Sequence, residues 1–114
     1  MVEFINLTPH PIIIYRGEEK IEIPPSGTIA RVEVKQEKVG ELDGIPVHKS
    51  TFGDVEGLPE PKENTIYIVS TVVLQALKAK GIERKDLVAP DTTPSGAVRD
   101  EEGRIVGVRG FQVV

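Results

Sequence analysis

Short runs of β-branched residues, with apolar side chains at every second position, dominate this chain and leave only one segment with helical spacing. Lys20-Ile21-Glu22-Ile23 alternates charged and apolar side chains, the pattern of a strand with one wet face. Thr65-Ile66-Tyr67-Ile68-Val69 is the strongest strand signal. Against these stands the run 71–80, where Val73, Ala76, Leu77 and Lys80 recur at helical spacing. Ser70 precedes it as a natural N-cap, with a hydroxyl able to accept a bond from an unpaired backbone N–H. Gly81 follows as a left-handed C′ residue, and Lys78 and Lys80 suit the partially negative C-terminal end.

The remaining elements follow from the same pattern and its interruptions. Residues 2–7 read as a first strand, broken by Thr8-Pro9-His10-Pro11. Residues 11–15 read as a buried strand that forms a hairpin with 20–23. Residues 28–35 alternate, with Ala30, Val32 and Val34 on the apolar face. The stretch 36–64 is less regular. In it 45–49 is a short strand that Pro46 confines to an edge or bulge, and 51–61 reads as a Gly- and Pro-rich loop. Residues 87–89 form a short strand before a polar loop, 91–96. Residues 97–99 and 104–108 flank a turn at 100–103, and the tail 110–114 completes the sheet. The expectation is one α+β domain over residues 1–114. Its sheet is mainly antiparallel, open or curled toward a barrel, with one helix at 71–80. A crossover from strand 65–69 through the helix to 87–89 is the alternative connection.

Composition removes several function classes. With no cysteine among 114 residues, disulfides, thiolate metal sites and cysteine nucleophiles are excluded. His10 and His48 make no paired zinc motif, so neither a metal nor any other cofactor is expected. A net charge of −4 with interspersed signs, and only three Phe and two Tyr, argues against nucleic acid and against anionic membranes. The chain opens without a basic and apolar leader, and no apolar run is long enough to span a bilayer. A cytoplasmic address is therefore expected. The richness in Glu, Lys and Arg, with few Asn, Gln and Met, points to a heat-adapted source.

The string Asn6-Leu7-Thr8-Pro9-His10-Pro11-Ile12 resembles the opening of a family of small uncharacterised proteins of phages, bacteria and archaea. The likeness continues at 23–32, 57–61, 65–70, 86–90 and 99–107. It implies a stand-alone domain that travels on mobile elements, and no activity.

Seven residues are candidates for a ligand site: Asn6, Thr8, His10, Ser70, Asp91, Thr92 and Arg99. His10, held between two prolines, suits a general acid–base or ligand contact, since an imidazole titrates near neutrality. The same string also reads as a rigid bend with side chains bonded to backbone, which is the preferred reading. Ser70 at a helix start suits an anion, although it lacks the glycine-rich approach of a phosphate loop and the flanking glycines of a hydrolase elbow. Plain capping is the simpler role. Asp91, Thr92 and Thr93 offer acceptor oxygens after a strand end, or ordinary turn chemistry. Arg99 suits an anionic ligand or an ion pair with Asp91. His48-Lys49-Ser50-Thr51 is a second polar cluster. The leading functional expectation is a binding module for a small polar, nucleotide-like ligand or for a protein partner. The alternatives are a small hydrolase or transferase using His10 with Asp91 or Ser70, and a structural or assembly protein of a virus or mobile element.

Overall fold

The structure is a computed structural model that describes residues 2–113. Half of the chain is strand and there is one short helix, so the fold is α+β and β-rich. Ten strands are arranged in three sheets, and no closed barrel is present among the described residues.

The first sheet has the order β1 (Glu3–Asn6), β6 (Thr65–Ile68), β7 (Leu87–Pro90), β10 (Phe111–Gln112). Its first three strands are parallel, with Asn6 opposite Ile68 and Ile68 opposite Val88. The expectation of a mainly antiparallel sheet fails here. Helix α1 (Thr71–Ala79) joins β6 to β7, and a strand–helix–strand crossover returns the chain in the same direction. Only β10 runs antiparallel to its neighbour. It is the expected tail strand; Val114 lies outside the described residues.

Helix α1 buries Val73, Leu74, Ala76 and Leu77. Val73, Leu74 and Leu77 meet Leu7, Tyr67, Val69, Leu87 and Ala89 from one face of the sheet. Each fully buried aliphatic of this kind is worth about 1.5–3 kcal/mol. Gly81 closes the helix at φ +74°, its N–H donating to the Lys78 carbonyl, as the sequence predicts. The N-terminus differs from expectation. Ser70 occupies the cap position, but its hydroxyl makes no capping bond; its backbone carbonyl accepts from the N–H groups of Val73 and Leu74.

The second sheet has the order β3 (Glu19–Ile23), β2 (Ile12–Arg16), β9 (Ile105–Val108), β8 (Ala97–Arg99). Both predicted hairpins are present, and they meet through a parallel contact at Ile14 and Val108. Gly107 is required at that seam, because a Cβ there would stand 2.5 Å from the Tyr15 ring.

The third sheet was not expected. Strands β4 (Arg31–Leu42) and β5 (Ile45–Glu56) form an antiparallel ribbon of 12 residues each, joined only by Asp43 and Gly44. The run 36–42 and the segment 51–56, read as irregular and loop-like, are strand. Most of β4 and β5 is exposed, so no buried face imposes an apolar alternation on them. The turn has φ +55° at Asp43 and +80° at Gly44, the left-handed pair that a two-residue hairpin loop demands. Only the base of the ribbon touches the body, where Val32 and Val55 pack on the core. The arm accounts for a radius of gyration of 16.4 Å, against about 13 Å for a compact chain of this length.

Two glycines distinguish the body from the arm. At Gly57 φ is +80° and a Cβ would lie 2.2 Å from the Ile29 carbonyl oxygen; at Gly44 φ is the same but the space is open. Gly57→Ala should cost about 3 kcal/mol or more, and Gly44→Ala about 1 kcal/mol. Urea denaturation of the two variants measures the difference, and equal midpoints would contradict the close approach at Gly57.

Candidate functional site

Parallel strands put their carboxyl ends on one edge, and in open α/β sheets that edge is the usual place for a ligand. The chain leaves β1, β6 and β7 at this edge through Leu7-Thr8, Val69-Ser70 and Asp91-Thr92. The topology therefore brings Asn6, Thr8, Ser70, Asp91 and Thr92 to the same end of one sheet, although they are far apart in sequence. Gln112 joins them from β10, its Nε2 donating to the Pro90 carbonyl at 3.0 Å and to Thr71 Oγ1 at 3.2 Å. Sequence reasoning missed Gln112, because only the antiparallel return of the tail brings it there.

Three of the polar side chains at this edge, those of Asn6, Thr8 and Asp91, are engaged in local hydrogen bonds. Asn6 is 1% exposed. Its Nδ2 donates to the carbonyls of His10 at 2.7 Å and Ile23 at 3.1 Å. Its Oδ1 accepts from the Thr8 N–H at 2.9 Å and the Thr8 hydroxyl at 2.7 Å. Two donors and two acceptor positions exhaust a carboxamide. Asp91 Oδ1 accepts from the Thr93 N–H at 3.1 Å and the Thr93 hydroxyl at 2.6 Å, which closes a turn. Gly96 is needed beside it, since a Cβ there would meet the Asp91 carboxylate at 2.3 Å. Thr92 is exposed.

His10 is exposed, and its side chain makes no hydrogen bond or ion pair with Asp91, Ser70 or any other described residue. Its backbone carbonyl accepts from Asn6 Nδ2, with the Thr8 hydroxyl oxygen 2.9 Å away. Arg99 stands at the far end of β8 and donates to the Gly103 carbonyl at 2.6 Å, across its own hairpin; no ion pair with Asp91 forms among the described residues. His48 sits on the arm, opposite Lys38. Among the described residues no buried side-chain nitrogen or oxygen lacks a partner, and no group of three His, Asp or Glu is placed to hold a metal. No described helix is long and apolar enough to cross a membrane.

The strongest electrostatic feature was not singled out in the sequence. Arg84 and Asp86 form a bidentate pair, Nε to Oδ1 at 2.8 Å and Nη2 to Oδ2 at 2.7 Å. Their side chains are only 17% and 15% exposed. The Arg84 hydrogen bonds hold the Asp86 carboxyl below its ordinary range, against the opposing effect of burial. Arg84 is raised in turn by the same contact. Arg84 Nη2 also donates to the Pro59 carbonyl, and the Tyr67 hydroxyl donates to the Glu60 carbonyl. The pair therefore fastens the 57–61 segment at the foot of the arm. The string Arg84-Lys85-Asp86 carried the signal, but two opposite charges two residues apart are common on solvated loops.

Two surfaces among the described residues stand out for their exposed apolar side chains. One is a cleft of about 550 Å³ beside the C-terminal end of α1, with apolar walls from Leu74, Leu77, Ile82, Leu87 and Val113. Lys78, Glu83 and Lys85 stand at its charged margin. The other is the tip of the arm, where Leu42 is 70% and Ile45 is 66% exposed. They are direct cross-strand partners and so lie on the same side of the ribbon. No family model, no curated protein and no solved structure matches the chain.

Asn6→Ala leaves the Ile23 and His10 carbonyls and the Thr8 donors without their partner. It should lower stability by about 3 kcal/mol, whereas His10→Ala should stay within about 0.5 kcal/mol. Chemical denaturation compares the two, and a His10→Ala variant as unstable as Asn6→Ala would give the imidazole a structural contact that the geometry lacks. The Arg84–Asp86 pair predicts a pH effect. A carboxyl lowered in the folded state stabilises the protein above its unfolded pKa, near 3.9, and the contribution disappears as pH falls through the folded value. The melting temperature of Asp86→Asn should therefore be lower than wild type at neutral pH, and the two curves should converge in acid.

Proposed function

We propose that this chain is a protein-interaction module, an assembly or adaptor domain that docks through the β4–β5 arm. The observation that carries the reading is a two-stranded ribbon standing off the body with an apolar tip. A lone ribbon is marginal in water, because neither face is covered and both edges are open. Leu42 and Ile45 side by side at its end leave most of their apolar surface in water in the isolated chain. Burial against a partner offsets both costs.

The polar edge of the first sheet supports this choice over a small polar ligand, since the side chains of Asn6 and Asp91 already hold their own loops. The charge of the arm supports a protein over nucleic acid. Glu33, Glu37, Glu41, Asp43, Asp54 and Glu56 outnumber Arg31, Lys35, Lys38 and Lys49, so the arm does not attract phosphate. A cysteine-free composition suits the reducing cytoplasm. The resemblance to small phage, bacterial and archaeal proteins fits an accessory domain of a mobile element.

The test is a trimmed chain in which residues 37–49 are replaced by Asn-Gly, closing the ribbon at the Gln36–Ser50 pair. The packed base of the arm is kept, so the melting temperature should change by only a few degrees. The trimmed chain should lose the associations of the full chain, read by light scattering for self-association and by quantitative co-purification from its native cells for other proteins. A trimmed chain that keeps every association would remove the arm from the function.

A further inference from the structure

We infer that the tip of the arm seats in the cleft of a second copy of this chain, giving a two-fold dimer with exchanged arms. The inference deepens the docking role proposed above and rests on it. Three observations point to the same occupant.

The first is complementary chemistry. The tip offers Leu42 and Ile45 around a turn whose carboxylate, Asp43, has no ion-pair partner among the described residues. The cleft offers apolar walls with Lys78 and Lys85 at its margin, neither of them paired among the described residues. Glu83 is the one opposing charge there, while Arg84 is already neutralised by Asp86.

The second is reach. The foot of the arm lies by the same helix end as the cleft, since Lys80 Nζ is 3.7 Å from Asp54 Oδ1. Ten residues of extended strand separate Asp54 from Gly44, which places the tip about 33 Å away. A straight arm therefore carries its tip away from its own cleft. In two copies related by a two-fold axis, with arms running in opposite directions, each tip is brought toward the other's cleft. Such an exchange is self-complementary and closes at two subunits.

The third is that the edges of the arm are blunted while its tip is not. Strand β4 has register shifts between Val32 and Val34 and between Lys38 and Gly40, and β5 carries Pro46. Bulges and edge prolines discourage strand-to-strand pairing between molecules. The exposed Leu42 and Ile45 have no such protection.

The absence of native cysteine makes the contact directly testable. Glu41→Cys and Lys85→Cys are made as separate full-length variants, mixed and oxidised. The expected result is a mixed disulfide joining the two variants, in yield well above Glu41→Cys alone or Lys85→Cys alone. Light scattering should give twice the chain mass for wild type. Ile45→Glu and Ile82→Glu should each halve that mass, with melting curves of the monomer remaining cooperative. A wild-type monomer throughout a broad concentration range overturns the dimer, and so does a dimer that survives both glutamate variants. A Glu41→Cys self-disulfide in place of the mixed one overturns the tip-to-cleft contact in favour of arm-to-arm pairing. If wild type is monomeric while the trimmed chain still loses another protein partner, the exchange fails and the docking role stands. If the trimmed chain loses nothing, the docking role fails as well.

Discussion

One buried carboxamide ties the two halves of the body together. Asn6 ends β1 in the first sheet, and its side chain reaches the Ile23 carbonyl at the end of β3 in the second. Its own backbone carbonyl accepts from the Ser26 N–H at 3.0 Å and the Ser26 hydroxyl at 2.7 Å. The Leu7 carbonyl next to it accepts from the Ala30 N–H. The turn between the sheets thus hangs on six donor–acceptor contacts around one residue that is almost without solvent. In such a setting each bond is strong and any missing partner is costly. The prolines on either side of His10 shape the bend, but Asn6 and Thr8 decide which carbonyls it presents and to what.

A second knot, formed by Arg84, Asp86 and Tyr67, does for the foot of the arm what Asn6 does for the sheets. Arg84 and Tyr67 hold the carbonyls of Pro59 and Glu60, and Gly57 lies so close to Ile29 that no side chain fits between them. The arm therefore leaves the body in a set direction, with Val32 and Val55 anchored in the core. With both charges mostly removed from water, loss of either partner would leave the other buried and uncompensated. The ribbon is packed at its base and exposed at its tip.

Much of the body was legible because its strands either alternate apolar and charged side chains, as β3 does, or are short β-branched runs buried on both faces, as β6 is. The alternation in 20–23 and the β-branched runs at 12–14 and 65–69 place these elements without knowledge of their neighbours. The helix was equally plain, since Val73, Ala76 and Leu77 fall on one face and Gly81 ends it. The arm was legible only in part: strands were read at 28–35 and 45–49, but not at 36–42 or 51–56, because a mostly exposed ribbon needs no apolar alternation, and Lys35-Gln36-Glu37-Lys38 is as compatible with a loop as with a strand. The ion pair at Arg84 was hidden for a similar reason, since nothing local reveals that a loop charge is covered by another segment.

Residue chemistry decided which segments of the body extend and which one coils, because backbone preference and the period of apolar side chains act over a few neighbours. It also fixed a cysteine-free composition with a net charge of −4. Tertiary structure decided strand direction and company. The crossover through α1 made β6 and β7 parallel, collected Thr8, Ser70 and Asp91 at one edge, and left Leu42 and Ile45 uncovered in solvent. Such outcomes depend on contacts between residues tens of positions apart, where the free energy of pairing belongs to neither sequence segment by itself.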